Sequence, residues 1–119
     1  MARNMSFMLT TPQMRARTKT VTRRVGWWNV KPGEVLNACV QCQGLAKGQK
    51  VEVITQIRVL EVGKEPLGCI TPEEVVKEGF SGRTPEEFIL MFMATHKGTQ
   101  RDTEVNRIAF EYLEVRTLS

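Results

Sequence analysis

Long apolar runs are missing from this sequence. No stretch approaches the ~20 residues that cross a bilayer. The opening residues lead only into Phe7-Met8-Leu9, too short for the apolar centre of a secretory leader. A cytoplasmic setting without membrane contact is expected. Cysteine is scarce as well. Cys39, Cys42 and Cys69 make an odd, sparse set, which argues against a disulfide framework and fits a reducing compartment. Histidine occurs once, at His96. Structural zinc takes four ligands, and beyond Cys39 and Cys42 only the distant Cys69 and His96 remain. In an extended strand Cys39 and Cys42 would also point to opposite faces. Buried free thiols are the expectation, with no metal and no cofactor. Gly44, Gly48, Gly63 and Gly68 lack the spacing of a P-loop or a Rossmann turn, which argues against nucleoside-triphosphate hydrolysis.

Acidic residues are missing from one end. Residues 1–33 hold no Asp or Glu but carry Arg3, Arg15, Arg17, Lys19, Arg23, Arg24 and Lys31, a local charge of +7. The rest of the chain sums to −3, giving the net +4. A basic end on a slightly acidic body points to an anionic partner, of which phosphate is the commonest. A merely solvated basic surface is the plainer alternative.

The 119 residues suit one domain, 1–119. No linker, low-complexity tract or long repeat divides them. Thr-Pro recurs at 11–12, 71–72 and 84–85. Thr caps helix N-termini, and Pro tolerates the first helical turn because its missing N–H would have no partner there. The pattern predicts helices over 12–17, 72–79 and 85–96. Thr71 and Thr84 are each followed three residues on by Glu, the sign of a capping box. In the third helix Phe88, Met91, Phe92 and Thr95 recur at helical spacing and are expected to face the core. Strands are predicted over 6–9, 20–25, 34–43, 51–62 and 105–115. Val51, Val53, Ile57 and Val59 are expected to share one face, as are Ile108, Phe110 and Tyr112. Residues 45–50 read as an exposed loop. Five or six strands with short helices between them suggest an α+β chain whose mixed sheet curls into a barrel.

The densest chemistry lies in Lys19-Thr20-Val21-Thr22-Arg23-Arg24, preceded by Arg15 and Arg17. In an extended strand Thr20, Thr22 and Arg24 share one face, and Lys19, Val21 and Arg23 the other. A bulge at 18–19 would bring Lys19 over the same opening as Thr22. Hydroxyls beside fixed positive charge suit a phosphate, a carboxylate or a base carbonyl. An edge strand decorated against aggregation would look much the same. Trp27 and Trp28 follow directly, as platforms for a stacked base or as caps on a core.

This segment resembles the signature of the ASCH domain, in which Lys-Thr-x-Thr-x-Arg opens a pocket. The likeness runs on through Lys31-Pro32-Gly33-Glu34, Arg58-Val59-Leu60-Glu61-Val62, Glu65-Pro66-Leu67, Glu78-Gly79-Phe80, the helix from Thr84, and Arg107-Ile108-Ala109-Phe110. It is nearest to short ASCH proteins of bacteria and phages. The resemblance implies a PUA-like mixed β-barrel of five to six strands with about three short helices. It implies a cleft that takes RNA or a nucleoside, lined by Arg17, Thr20, Arg23, Arg24, Trp27 and Arg107. Some small ASCH proteins are amidohydrolases acting on N(4)-acetylcytidine through a Lys, a Thr and a Glu. Carried over by motif, these fall on Lys19, Thr22 and Glu78, with Glu73 and Glu74 as alternatives for the third. Arg24 or Arg107 would then steady a developing oxyanion. Whether such a cleft only binds or also hydrolyses is left open by the residues. An interaction protein that meets a host protein through exposed loops is the rival reading.

Overall fold

The structure is a computed structural model, and it describes residues 2–42, 45 and 47–114. Its backbone is one five-stranded mixed sheet with three short α-helices. Strand β1 is Arg3–Ser6, followed by a 3₁₀ turn Met8–Thr10 and helix α1, Thr11–Ala16. Strands β2 (Val21–Arg24), β3 (Val35–Cys39) and β4 (Val53–Pro66) come next. A 3₁₀ turn, Leu67–Cys69, leads to α2 (Pro72–Lys77), α3 (Pro85–Thr95) and the closing strand β5 (Glu104–Tyr112). The sheet order is β1-β3-β4-β5-β2. β1 runs parallel to β3, and every other pair is antiparallel. This is the α+β, curled-sheet architecture expected from the sequence.

Period-2 alternation sets which side of each strand is buried. On β4 Thr55, Ile57 and Val59 point inward, while Val53 is half-exposed and Val51 precedes the strand, so the buried face begins at Thr55, four residues later than expected. On β5 Ile108 and Phe110 point inward with Tyr112 packed behind them. These residues join Met5, Phe7, Met14 and Leu36 in a core inside the sheet. A second core forms under the helices from Leu67, Val75, Phe88, Ile89, Phe92 and Val105.

Three expectations shift. The apolar 6–9 segment is not a strand: β1 lies three residues earlier, and Met8 and Leu9 sit exposed in a 3₁₀ turn. That turn places Thr11 inside α1, where its hydroxyl donates to the Phe7 carbonyl at 2.9 Å instead of capping. In α3 Ile89 belongs to the core, while Met91 and Thr95 are exposed on the neighbouring side. Gln43, Ala46 and Val115, within the expected strands and loop, lie outside the described residues. Among the described residues, no helix is long and apolar enough to cross a membrane.

Candidate functional site

The two cores do not meet completely. Between them lies a cavity of about 220 Å³. Phe7 enters it from the barrel, and Phe80, Phe88 and Phe92 from the helical side. Its charged lining comes from Lys19, Arg23, Arg24 and Glu78, with Thr22 among the hydroxyls beside them.

Lys19 stands just before β2, where the chain is pinned on two sides. The Tyr112 hydroxyl donates to the Lys19 carbonyl at 2.6 Å, and the Thr20 N–H donates to the Lys77 carbonyl at 2.7 Å. The Lys19 side chain, 3% exposed, turns inward. Its Nζ donates to Glu78 Oε1 at 2.6 Å and to the Glu78 backbone carbonyl at 2.9 Å. Burial pulls the Lys19 pKa below that of an ordinary lysine, and Glu78 opposes the shift. Glu78 follows the last residue of α2 and is itself buried. Its second oxygen accepts from Arg23 Nη1 at 3.0 Å. Gly79 lets the chain turn there at φ +97°; a Cβ would come within 2.9 Å of the Gln13 side chain and 3.3 Å of Lys19 Cβ.

Arg23 and Arg107 are cross-strand partners in the β2–β5 ladder. Like charges directly opposite one another repel. Glu74 lies between them, accepting from Arg23 Nη2 at 2.8 Å, from Arg107 Nε, and from Arg107 Nη2 at 3.1 Å. Hydrogen bonds from Arg107, then Arg23, hold the Glu74 carboxyl at a pKa of about 2. The same bonds raise the Arg107 pKa. Arg23 Nε is buried with no partner among the described residues.

Arg24 occupies the sheet's open seam. β1 and β2 are its two edges, with no ladder between them. Arg24 Nη2 donates to the Ser6 carbonyl at 2.7 Å, joining those edges. Its Nε donates to Thr22 Oγ1 at 3.0 Å, and its guanidinium lies 4.7 Å from the centre of the Phe7 ring. Burial lowers its pKa to about 10.

The structure thus brings Lys19, Thr22, Arg23, Arg24 and Glu78 to one cavity. Of the carboxylates left open by the sequence, Glu78 lines it, Glu74 braces it from behind, and Glu73 is exposed. The other named residues lie elsewhere. Arg17, left-handed at the end of α1, is exposed over the Tyr112 ring. Thr20 is exposed and ties α2 and β5 through its backbone. Arg107 is held by Glu74 outside the cavity lining, so the oxyanion role weighed for it has no geometry here. Trp27 packs against the barrel core with Arg3 over its ring at 5.0 Å, and it does not line this cavity.

Four of the seven basic side chains of residues 1–33 meet carboxylates. Arg3 meets Glu34, Arg15 meets Glu52, and Lys19 and Arg23 meet Glu78. Sequence order hid these partners, which lie 31 to 59 positions away.

Cys39, Cys42 and Cys69 are free, but only Cys39 is buried. The first two do not diverge as a regular strand would require. β3 ends at an irregularity between Ala38 and Cys39, and the Cys39 thiol donates to the Asn37 carbonyl at 3.4 Å. Burial, followed by Cys42, pushes the Cys39 thiol up to about 11. No group of three or more His, Cys, Asp or Glu side chains could hold a metal among the described residues. His96 is stacked on Phe92 at 4.0 Å, on the cavity's rim. The aromatic walls were the part the motif did not announce; the spacing of Phe88 and Phe92 was their only signal.

Three solved structures share this architecture. A crystal structure of an ASCH domain from Lactobacillus crispatus superposes over 87% of this chain and 70% of its own, with TM-score 0.61 and 13% identity. The chain has an ASCH-like fold. Protein EF3133 from Enterococcus faecalis matches 95% of the chain and 77% of its own length, at TM-score 0.67 and 14% identity. Hypothetical protein PH0355 matches 95% of the chain over its full length, at TM-score 0.68 and 14% identity. No family model matches the sequence, and no curated protein is similar to it. At such identities the likeness fixes the ASCH-like fold, and the function is argued from the site.

Proposed function

We propose that the chain takes a nucleobase or nucleoside into the cavity beside Lys19 and hydrolyses an amide on it, of the N(4)-acetylcytidine type. The observation that carries this reading is the buried Lys19–Glu78 pair, 2.6 Å apart, sharing one cavity with the Thr22 hydroxyl. Size and chemistry support it together. A hollow of about 220 Å³ is smaller than the ~300–1,000 Å³ of drug-sized sites. It suits a flat base between apolar walls and excludes a duplex.

In this reading Thr22 Oγ attacks the acyl carbon and passes its proton to Lys19. Burial favours the neutral amine of Lys19, the form that can accept this proton. Lys19 then delivers that proton to the departing amine as the C–N bond breaks. Water hydrolyses the acyl-threonine ester, releasing acetate and regenerating the hydroxyl. Arg24 is the cation available to the developing oxyanion. Both oxygens of Glu78 are engaged, so it serves to position Lys19 rather than to act as a free acid.

The test is release of acetate from N(4)-acetylcytidine. Lys19→Ala and Thr22→Val should each lower turnover by about 10²–10⁴-fold, the usual contribution of a proton-transfer group, while leaving a cooperative unfolding transition. Binding without acetate release would make the chain a recognition module. Neither binding nor release would leave the protein-interaction reading.

A further inference from the structure

Beside the cavity at Lys19 lies a second hollow of about 340 Å³. The two share Ser6, Met8 and Arg24 as lining. The far wall of the second comes from Asn4, Trp27, Gln41 and Cys42, so an indole and two amides replace the phenyl rings of the first.

Arg24 stands at the junction. Its Nε and Nη2 are committed to Thr22 and Ser6, and Nη1 meets no acceptor among the described residues. Its positive charge feels Glu78 on one side and Cys42 on the other. The first cavity alone is smaller than a drug-sized site, and the two joined fall within that range. A base that fills the first must carry its remaining atoms past this guanidinium.

We infer that the second hollow is a sugar-phosphate subsite, so that the ligand is a nucleotide whose phosphate ester is held by Arg24. The ribose lies against the Trp27 ring beside Asn4, and the phosphate takes a charge-assisted hydrogen bond from Nη1. This rests on the first cavity being the base site. The phosphate comes from a free mononucleotide or from the backbone of RNA.

Calorimetric titration compares N(4)-acetylcytidine with its 5′-monophosphate, using the Lys19→Ala protein so that turnover does not interfere. The monophosphate should bind roughly tenfold tighter, the gain of one added charge-assisted bond. Asn4→Asp keeps the acceptor that Asn37 uses at 3.0 Å and adds a negative charge beside the hollow. It should close most of the gap between the two ligands. Cys42→Asp adds the charge at another position of the same wall and serves if the first variant folds poorly. A trinucleotide with the acetylated base in the middle separates the sources: tighter binding than the monophosphate points to RNA, weaker binding to the free nucleotide. Equal affinities for nucleoside and monophosphate overturn the subsite. Ribose 5-phosphate binding where no cytidine binds removes the base reading and leaves the subsite standing. If none of these ligands binds, both fall.

Discussion

The tetrapeptide Thr-Pro-Glu-Glu occurs twice in this chain, at 71–74 and at 84–87, and the two copies end differently. At 84–87 the capping box closes. Glu87 N–H donates to Thr84 Oγ1 at 3.1 Å, and the Glu87 carboxylate returns to the Thr84 N–H at 2.9 Å. At 71–74 only the first half forms, with Glu74 N–H donating to Thr71 Oγ1 at 3.3 Å. The Glu74 carboxylate leaves its own helix and goes to Arg23 and Arg107. Both helices start where the tetrapeptide says they start. What the last Glu does is decided by its surroundings: solvent around Glu87, two opposed arginines beside Glu74. A local motif fixes a helix end, and tertiary charge redirects its side chain.

The contrast can be broken by substitution. The largest effect should follow Glu78→Gln, which strips the ion network of its most buried carboxylate. Lys19 and Arg23 then lose their shared partner, and orphaning a buried charge costs about 3–5 kcal/mol. Urea denaturation reads this as a lower midpoint at unchanged slope. Glu74→Gln should cost about 2–3 kcal/mol, because Arg23 and Arg107 then face each other without a carboxylate between them. A loss of the same size at Glu87→Gln would erase the distinction between the two copies.

Acid sharpens it further. The Glu74 carboxyl titrates near 2 in the folded chain, below its usual value of 4.5. Its stabilisation is therefore full above about pH 5 and is lost as pH falls towards 2. Thermal melts of the Glu74→Gln protein should show a flatter slope across that window than the parent protein. The smallest effect belongs to the caps. Thr71→Ala and Thr84→Ala each remove one hydroxyl acceptor and should each cost about 1 kcal/mol, since that half of the box forms in both copies. Unequal losses would show that the two hydroxyls are not equivalent.

Much of the scaffold was legible because it depends on local rules. Thr-Pro pairs place all three helices, and alternation places four of the five strands within a few residues. β1 was displaced because a four-residue strand at a sheet edge carries too little periodicity to outweigh the apolar Phe7-Met8-Leu9 beside it. In the site, the Lys-Thr-x-Thr-x-Arg segment and Glu78 were legible through their resemblance to a known pattern. Simple alternation would have sent Lys19 and Thr22 to opposite faces, with Arg23 on the face of Lys19. They share a cavity because β2 begins only at Val21, so Lys19 is not bound by the strand's alternation. The Arg107–Glu74 pair was not legible, because its two members lie 33 positions apart.

The sheet order carries a consequence for how the protein is made. β2 has one neighbour, and that neighbour is the last strand. While a ribosome is still adding the residues before Glu104, Val21–Arg24 has no ladder to join among the described strands. The cavity residues that β2 contributes therefore wait for β5 to appear. Emerging ahead of β5 gives them no ladder, and docking of β5 completes the sheet beside the cavity.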